Sequence, residues 1–232
     1  MPIIQTQKQL RPRDPNEHYP TPLDLCQAAL KQCLPGVYLR QNGLRILDPG
    51  AGVGVWGEAA RSLWPGAEIY GVELRPVKCN PAYTEWRIGN YMTMTVEYGQ
   101  KFDLIIGNPP YGDLWEQEQS RLKREAHARG EVYVRPPRPA DQPMADAKAF
   151  IRKSLSELRD GGHLLYLLRL AFLEGQDRGK GLWSDFPPYS VHALSRRPSF
   201  TGNGKTDATA YAVYVWEKGY RPAHYWGGWL DW

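Results

Sequence analysis

Cysteine is scarce in this 232-residue chain, with only Cys26, Cys33 and Cys79. Their spacing offers neither a metal-binding pair nor a disulfide framework, so the expectation is buried thiols in a reducing compartment. No HExxH and no Cys/His cluster occurs, and no metal is expected. Nowhere does the sequence hold the roughly 20 consecutive apolar residues of a membrane span, and its first residues lack the apolar region of a signal peptide. These absences predict a cytoplasmic protein without a membrane partner. A net excess of either charge is also absent from most of the chain, where basic and acidic residues balance. Between Arg121 and Arg138 stand six Lys/Arg (Arg121, Lys123, Arg124, Arg129, Arg135, Arg138) and two Glu, a local excess equal to the net charge of +4 for the whole chain. An otherwise neutral scaffold with one basic segment fits contact with a polyanion; a solvated basic loop is the plainer reading.

What the chain does have is aromatic residues with a polar edge: 14 Tyr and 9 Trp against 5 Phe. Such rings suit flat ligands as well as cores. The stretch that organises the sequence is Ile105-Ile106-Gly107-Asn108-Pro109-Pro110-Tyr111. A buried strand ends there in an amide, two prolines that cannot continue a ladder, and a ring on which another ring can stack.

The chain length suits one domain with an insertion. Residues 1–18 read as a flexible arm. Thr21 is placed to cap a helix with Pro22 at its first position, running to the Pro35-Gly36 break. Leu44–Asp48 reads as a strand, 49–54 as a glycine loop, Val55–Leu63 as a helix, and Glu68–Val72 as a second strand ending at Glu73. This is a right-handed βαβ unit. Its glycines at 50, 52 and 54 allow close approach of a ligand, and the acid at the second strand end suits a ribose diol. Position 55 is Val where the dinucleotide fingerprint needs Gly, so a nucleoside without a pyrophosphate is the better match.

Further strands are expected at 86–88, 101–106, 163–170, 191–194 and 208–216. Asn90 closes the third, where it could donate to or accept from an adenine edge or equally serve as a turn residue after Gly89. Helical character at 114–128 gives way to a proline-rich stretch within the insertion 112–144, and a second helix spans 145–158. Gly202–Thr206 fails as a phosphate loop because Ser199 stands where Gly is required, and because a strand follows. Residues 219–232 form an aromatic tail expected to pack back on the domain, with base stacking or a partner contact as the alternative.

Taken in order, Tyr19-Pro-Thr-Pro22, Asp48-Pro-Gly-Ala-Gly-Val-Gly54, Glu73 and Asn108-Pro-Pro-Tyr111 resemble the motifs of the N6-adenine DNA methyltransferases. The resemblance covers residues 19–111 by motif and is compatible with the pattern to about residue 217. It implies a Rossmann-like class I methyltransferase domain over 19–218: a seven-stranded, mostly parallel sheet with helices on both faces and an antiparallel C-terminal strand. It also implies S-adenosyl-L-methionine as cofactor. Carried over by position, Tyr19, Thr21 and Pro22 would lie against its methionine part, Asp48, Gly50 and Gly52 beneath it, Glu73 on the ribose and Asn90 on the adenine. Asn108, Pro109, Pro110 and Tyr111 match the catalytic tetrad. The implied reaction is methyl transfer to adenine N6 in DNA, with the base flipped out of a duplex.

The same tetrad serves enzymes acting on RNA adenine and on a glutamine amide of release factors, and a catalytically silent nucleic-acid-binding subunit is a further alternative. The upstream motif and the basic segment, whose six Lys/Arg would hold phosphates, favour nucleic acid over protein, and the resemblance favours DNA over RNA. Relatives of this motif order usually carry a sizeable target-recognition domain. Here only 112–144 could serve, which leaves selectivity weak or supplied by an accessory partner.

Overall fold

The computed structural model describes residues 20–34, 36, 43–94, 100–139, 145–200, 206 and 208–232, with backbone alone at 114 and 117. Tyr19 and the 1–18 arm lie outside the described residues, as does most of 202–206.

The elements follow in the order α1 (Leu23–Cys33), β1 (Arg45–Asp48), α2 (Val55–Leu63), β2 (Glu68–Glu73), β3 (Glu85–Ile88), β4 (Phe102–Gly107), α3 (Leu114–Ala128), α4 (Ala147–Glu157), β5 (Leu158–Arg169), β6 (Ser190–Leu194), β7 (Tyr211–Glu217) and β8 (Trp226–Leu230), with short helical turns between β5 and β6. They build one sheet in the order β3-β2-β1-β4-β5-β7-β6-β8. The first five neighbours run parallel, and β7 is antiparallel to both β5 and β6. The expectation of seven strands is thus corrected to eight. The extra strand comes from the aromatic tail, where β8 pairs in parallel with β6, from Ser190↔Trp226 to Leu194↔Leu230. Two adjacent glycines, 227 and 228, hide this strand from a propensity reading.

The central strands are unbroken apolar runs because both faces of the sheet are covered. Ile46, Leu104, Ile106, Leu165, Leu167, Val213 and Val215 pack toward α1 and α2. Leu47, Ile105, Leu164, Tyr166, Leu168, Ala212, Tyr214 and Trp216 face the opposite layer with α4. In α1 the period of Leu25, Cys26, Ala29, Leu30 and Cys33 supplies the buried stripe. All three cysteines are free thiols; Cys26 and Cys33 are buried and Cys79 is exposed. Burial pushes the Cys33 thiol up to about 12.

One local expectation fails. Pro22 occupies the N-cap of α1 and no side chain caps the helix. Thr21 is 4% exposed, and its hydroxyl meets a different partner, described below. No helix among the described residues is long and apolar enough to cross a membrane.

Candidate active site

The C-terminal ends of β1, β2 and β4 open on one cavity of about 390 Å³, lined among others by Thr21, Gly50, Gly52, Trp56, Glu73, Arg75, Asn90, Asn108, Pro110, Trp115 and Arg138. Open parallel sheets bind ligands at this end, where the loops leave backbone donors facing a crevice.

Behind the lining, next in the chain to Pro49, is Asp48, the last residue of β1 and fully buried. Its Oδ2 accepts the Tyr83 hydroxyl at 2.7 Å, while its Oδ1 has no hydrogen-bond partner. Burial pushes this carboxyl from its ordinary 3.8 up to about 7, against the lowering pull of the Tyr83 and Gly50 hydrogen bonds, and the Glu73 charge adds to the rise. Room for Asp48 comes from Gly107 at the end of β4. At φ 152° it holds a backbone that side chains rarely adopt, and a Cβ there would stand 3.0 Å from Asp48 Oδ1.

Tyr83 is a residue that sequence reading missed. Its phenol accepts the Gly57 N–H at 3.0 Å while donating to Asp48. Its ring fills space left by two glycines, since a Cβ at Gly57 or Gly71 would approach it to 2.2 or 2.8 Å. A glycine inside a helix and another inside a strand were the signal that something large packs there.

Glu73 is 6% exposed at the end of β2. Its Oε2 accepts the Gly52 N–H at 2.7 Å, tying the glycine loop to the second strand, and its Oε1 accepts Arg75 Nε at 2.7 Å. Asn90 Oδ1 accepts the Met92 N–H at 2.9 Å, which leaves the NH2 as the end of that amide available to a ligand. Asn108 follows β4 directly, and its Nδ2 donates to Thr21 Oγ1 at 3.4 Å. That contact spans 87 residues of sequence and sets which end of the amide is which: the carbonyl oxygen is turned away from Thr21. The upstream motif and the tetrad therefore meet in one place.

The tetrad itself divides. Asn108 and Pro110 line the cavity, whereas Pro109 is buried and Tyr111 stands beyond the lining. The Tyr111 ring lies 5.8 Å from that of Tyr211, tilted by 47°, with the Arg169 guanidinium 5.0 Å from its centroid. Pro22 also falls outside the lining, at the start of α1.

The six basic candidates part company too. Arg121 lies between Glu118 and Glu125 on the exposed face of α3, and Arg129 pairs with Glu131. Arg135 pairs with Glu116 and, like Arg138, places its guanidinium over the Trp115 ring. Lys123 and Arg124 are exposed, with no ion pair among the described residues. Glu116 and Glu118 precede the basic window in sequence, but one helical turn sets Glu118 beside Arg121.

Arg138 crosses back to the cavity. It pairs with Asp113 at 2.7 Å, with side-chain exposures of 22% and 5%. Asp113 is also the N-cap of α3, accepting the Glu116 N–H, and it accepts the Ala145 N–H. Burial alone would raise its pKa, but these hydrogen bonds prevail and hold it below the usual carboxylate range. One carboxylate so gathers both ends of the insertion at the rim.

Comparison with known proteins agrees with this architecture. No family model matches the chain. A Type II methyltransferase, M.TthHB8I of Thermus thermophilus, is 29% identical over 211 residues, covering 82% of this chain and 49% of its own length. The chain thus spans about half the length of that curated relative. Among solved structures, a Listeria monocytogenes protein assigned as a class I S-adenosylmethionine-dependent methyltransferase superposes with a TM-score of 0.64 at 14% identity, over 93% of this chain and 66% of the other. The M protein of the type I restriction enzyme EcoKI gives a TM-score of 0.56 at 17% identity, over 88% and 44%. The fold is that of the class I methyltransferases.

Proposed function

We propose that the chain transfers a methyl group from S-adenosyl-L-methionine to the exocyclic N6 of adenine in DNA. The observation that carries this reading is the Asn108 amide, oriented by Thr21, at the rim of the same cavity that Glu73, Asn90 and the glycine loop line. The similarity to a Type II methyltransferase supports DNA as the polymer.

The residues present suit the cofactor. Asp48 Oδ1 is a buried acceptor without a partner, which matches an ammonium group. Glu73 suits a pair of ribose hydroxyls, and the Asn90 NH2 suits an acceptor on the adenine ring. When bound, the cofactor supplies a methyl group made electrophilic by its sulfonium.

This chain's part is positioning. An adenine amine is a poor nucleophile because its lone pair is delocalised into the ring. With Asn108 Oδ1 and the Pro109 carbonyl each accepting one N6 hydrogen, the nitrogen can pyramidalise and aim its lone pair along the line of displacement. Transfer of the methyl would leave the amine with one proton too many, and since Asn is no base that proton would go to solvent. The two prolines stiffen the backbone that presents these acceptors. Tyr111, braced by Arg169 and Tyr211, serves as the stacking platform for an extruded or unpaired base, a contact worth about 1–3 kcal/mol in comparable proteins. Exposed Lys123 and Arg124 meet phosphates, and the insertion contributes to selectivity beyond the single adenine.

Incubation with methyl-labelled cofactor and either DNA or RNA, followed by nucleoside digestion, tests the reading. It predicts N6-methyladenine from DNA. Label in RNA alone would move the activity to the other polymer, and no transfer to either would leave a silent binding module.

A further inference from the structure

We propose that Trp56 is a cofactor-binding residue whose indole N–H takes the carboxylate of the methionine moiety. The inference rests on the S-adenosylmethionine reading of the cavity and extends it to a residue that no motif singles out.

Trp56 sits in the first turn of α2 and is 4% exposed, yet it lines the cavity and its buried Nε1 has no hydrogen-bond partner. A buried donor without an acceptor costs free energy, and in native proteins such groups call for a specific explanation. Two other tryptophans show the ordinary solution, with Trp216 Nε1 donating to Phe186 O at 3.1 Å and Trp183 Nε1 to Leu173 O at 3.3 Å. Trp86 and Trp232 share the deficit of Trp56 but lie outside the cavity lining.

The character of the missing acceptor follows from the other groups around the cavity. A methionine moiety carries an ammonium and a carboxylate. Asp48, next in the chain to the lining residue Pro49, answers the first with its orphan oxygen. Among the described lining residues no cation stands spare for the second, because the two arginines there are paired, Arg75 with Glu73 and Arg138 with Asp113. The carboxylate must therefore be met by neutral donors. Thr21 and Trp56 both line the cavity. The Thr21 hydroxyl already accepts from Asn108, so its own hydrogen is the one it has to give. Thr21 and Trp56 then form a neutral pair of donors, and the first-turn N–H groups of α2 add potential of the same sign.

The test uses Trp56→Phe, which keeps the ring and deletes the N–H. Calorimetric titration at pH 8.5 compares three probes: S-adenosylhomocysteine, which has both charged groups; decarboxylated S-adenosylmethionine, which keeps the amine alone; and 5′-methylthioadenosine, which has neither. The expected result is a Kd for S-adenosylhomocysteine raised roughly tenfold or more in the variant, as for a lost hydrogen bond to a charged group, with the other two unchanged within about twofold. Equal weakening of all three probes would make Trp56 a packing residue, and no change with any probe would leave its N–H without a role; either result overturns the inference. Failure of all three to bind the wild-type protein would remove the cofactor reading itself.

Discussion

Asp48 is where function and stability pull apart, and replacing it by Asn measures the tension. In the folded protein its carboxyl titrates near 7 rather than 3.8, chiefly because it is buried. The folded state therefore holds a proton between those values that the unfolded state has released. Wild-type stability must fall as pH rises through that window, and the loss is complete above about pH 7. The full difference corresponds to roughly 4 kcal/mol at about 1.4 kcal/mol per unit. Asp48→Asn removes this dependence. Its amide can still accept from Tyr83, but the NH2 would replace an oxygen that has no partner, an unsatisfied donor costing about 1–3 kcal/mol. That penalty is the same at every pH and cancels when the variant's stability relative to wild type is compared between pH 4.5 and 8.5. The comparison should move by about 3 kcal/mol in favour of the variant at the higher pH. Urea unfolding of both proteins at the two pH values gives the number directly. A relative stability that stays flat within about 1 kcal/mol would refute the claim that the fold bears the burden of an ionised Asp48.

Four other outcomes follow from the same geometry. If the ionised Asp48 holds the ammonium, wild-type affinity for S-adenosylhomocysteine should fall about tenfold per pH unit below about 7 and level off above it; a profile flat from pH 5 to 8 would detach Asp48 from the ligand. Asn108→Ala should abolish turnover while leaving cofactor affinity within a few-fold, and a loss of binding as large as that from Asp48→Ala would contradict its assigned role. Arg138→Ala should cost about 1–2 kcal/mol, since Asp113 keeps its two backbone donors, and should expose residues 131–139 to limited proteolysis; an unaltered cleavage rate would show that the ion pair does not anchor that segment. Neutralising Lys123 and Arg124 together should weaken DNA binding and flatten its salt dependence by about two phosphates' worth, whereas an unchanged slope would make this face of α3 a bystander.

Strands β1, β2 and β4 were legible because their signals are local: apolar runs closed by Asp48, Glu73 and Asn108, each followed by residues that cannot extend a ladder. The cavity rim was legible for the same reason, since two of those closing residues, Glu73 and Asn108, line it. What escaped reading depends on pairs distant in sequence. Thr21 reads as a helix cap until Asn108, 87 residues on, donates to its hydroxyl. Strand β8 has little strand propensity of its own and exists because β6 offers it a ladder. Counting charge from 121 to 138 made the insertion a basic arm. Folding instead sets Arg121 between Glu118 and Glu125 and spends Arg138 on Asp113, 25 residues away. Composition counts ions, but only topology says which are paired. The Arg138–Asp113 pair has a mechanistic consequence. An arginine counted toward the polyanion instead binds the residue that caps α3 and accepts from the backbone of Ala145, so the insertion is already fastened at the rim of the cavity in the chain alone. A substrate phosphate that captured Arg138 would have to release Asp113 first, which would couple polymer binding to the opening of that rim.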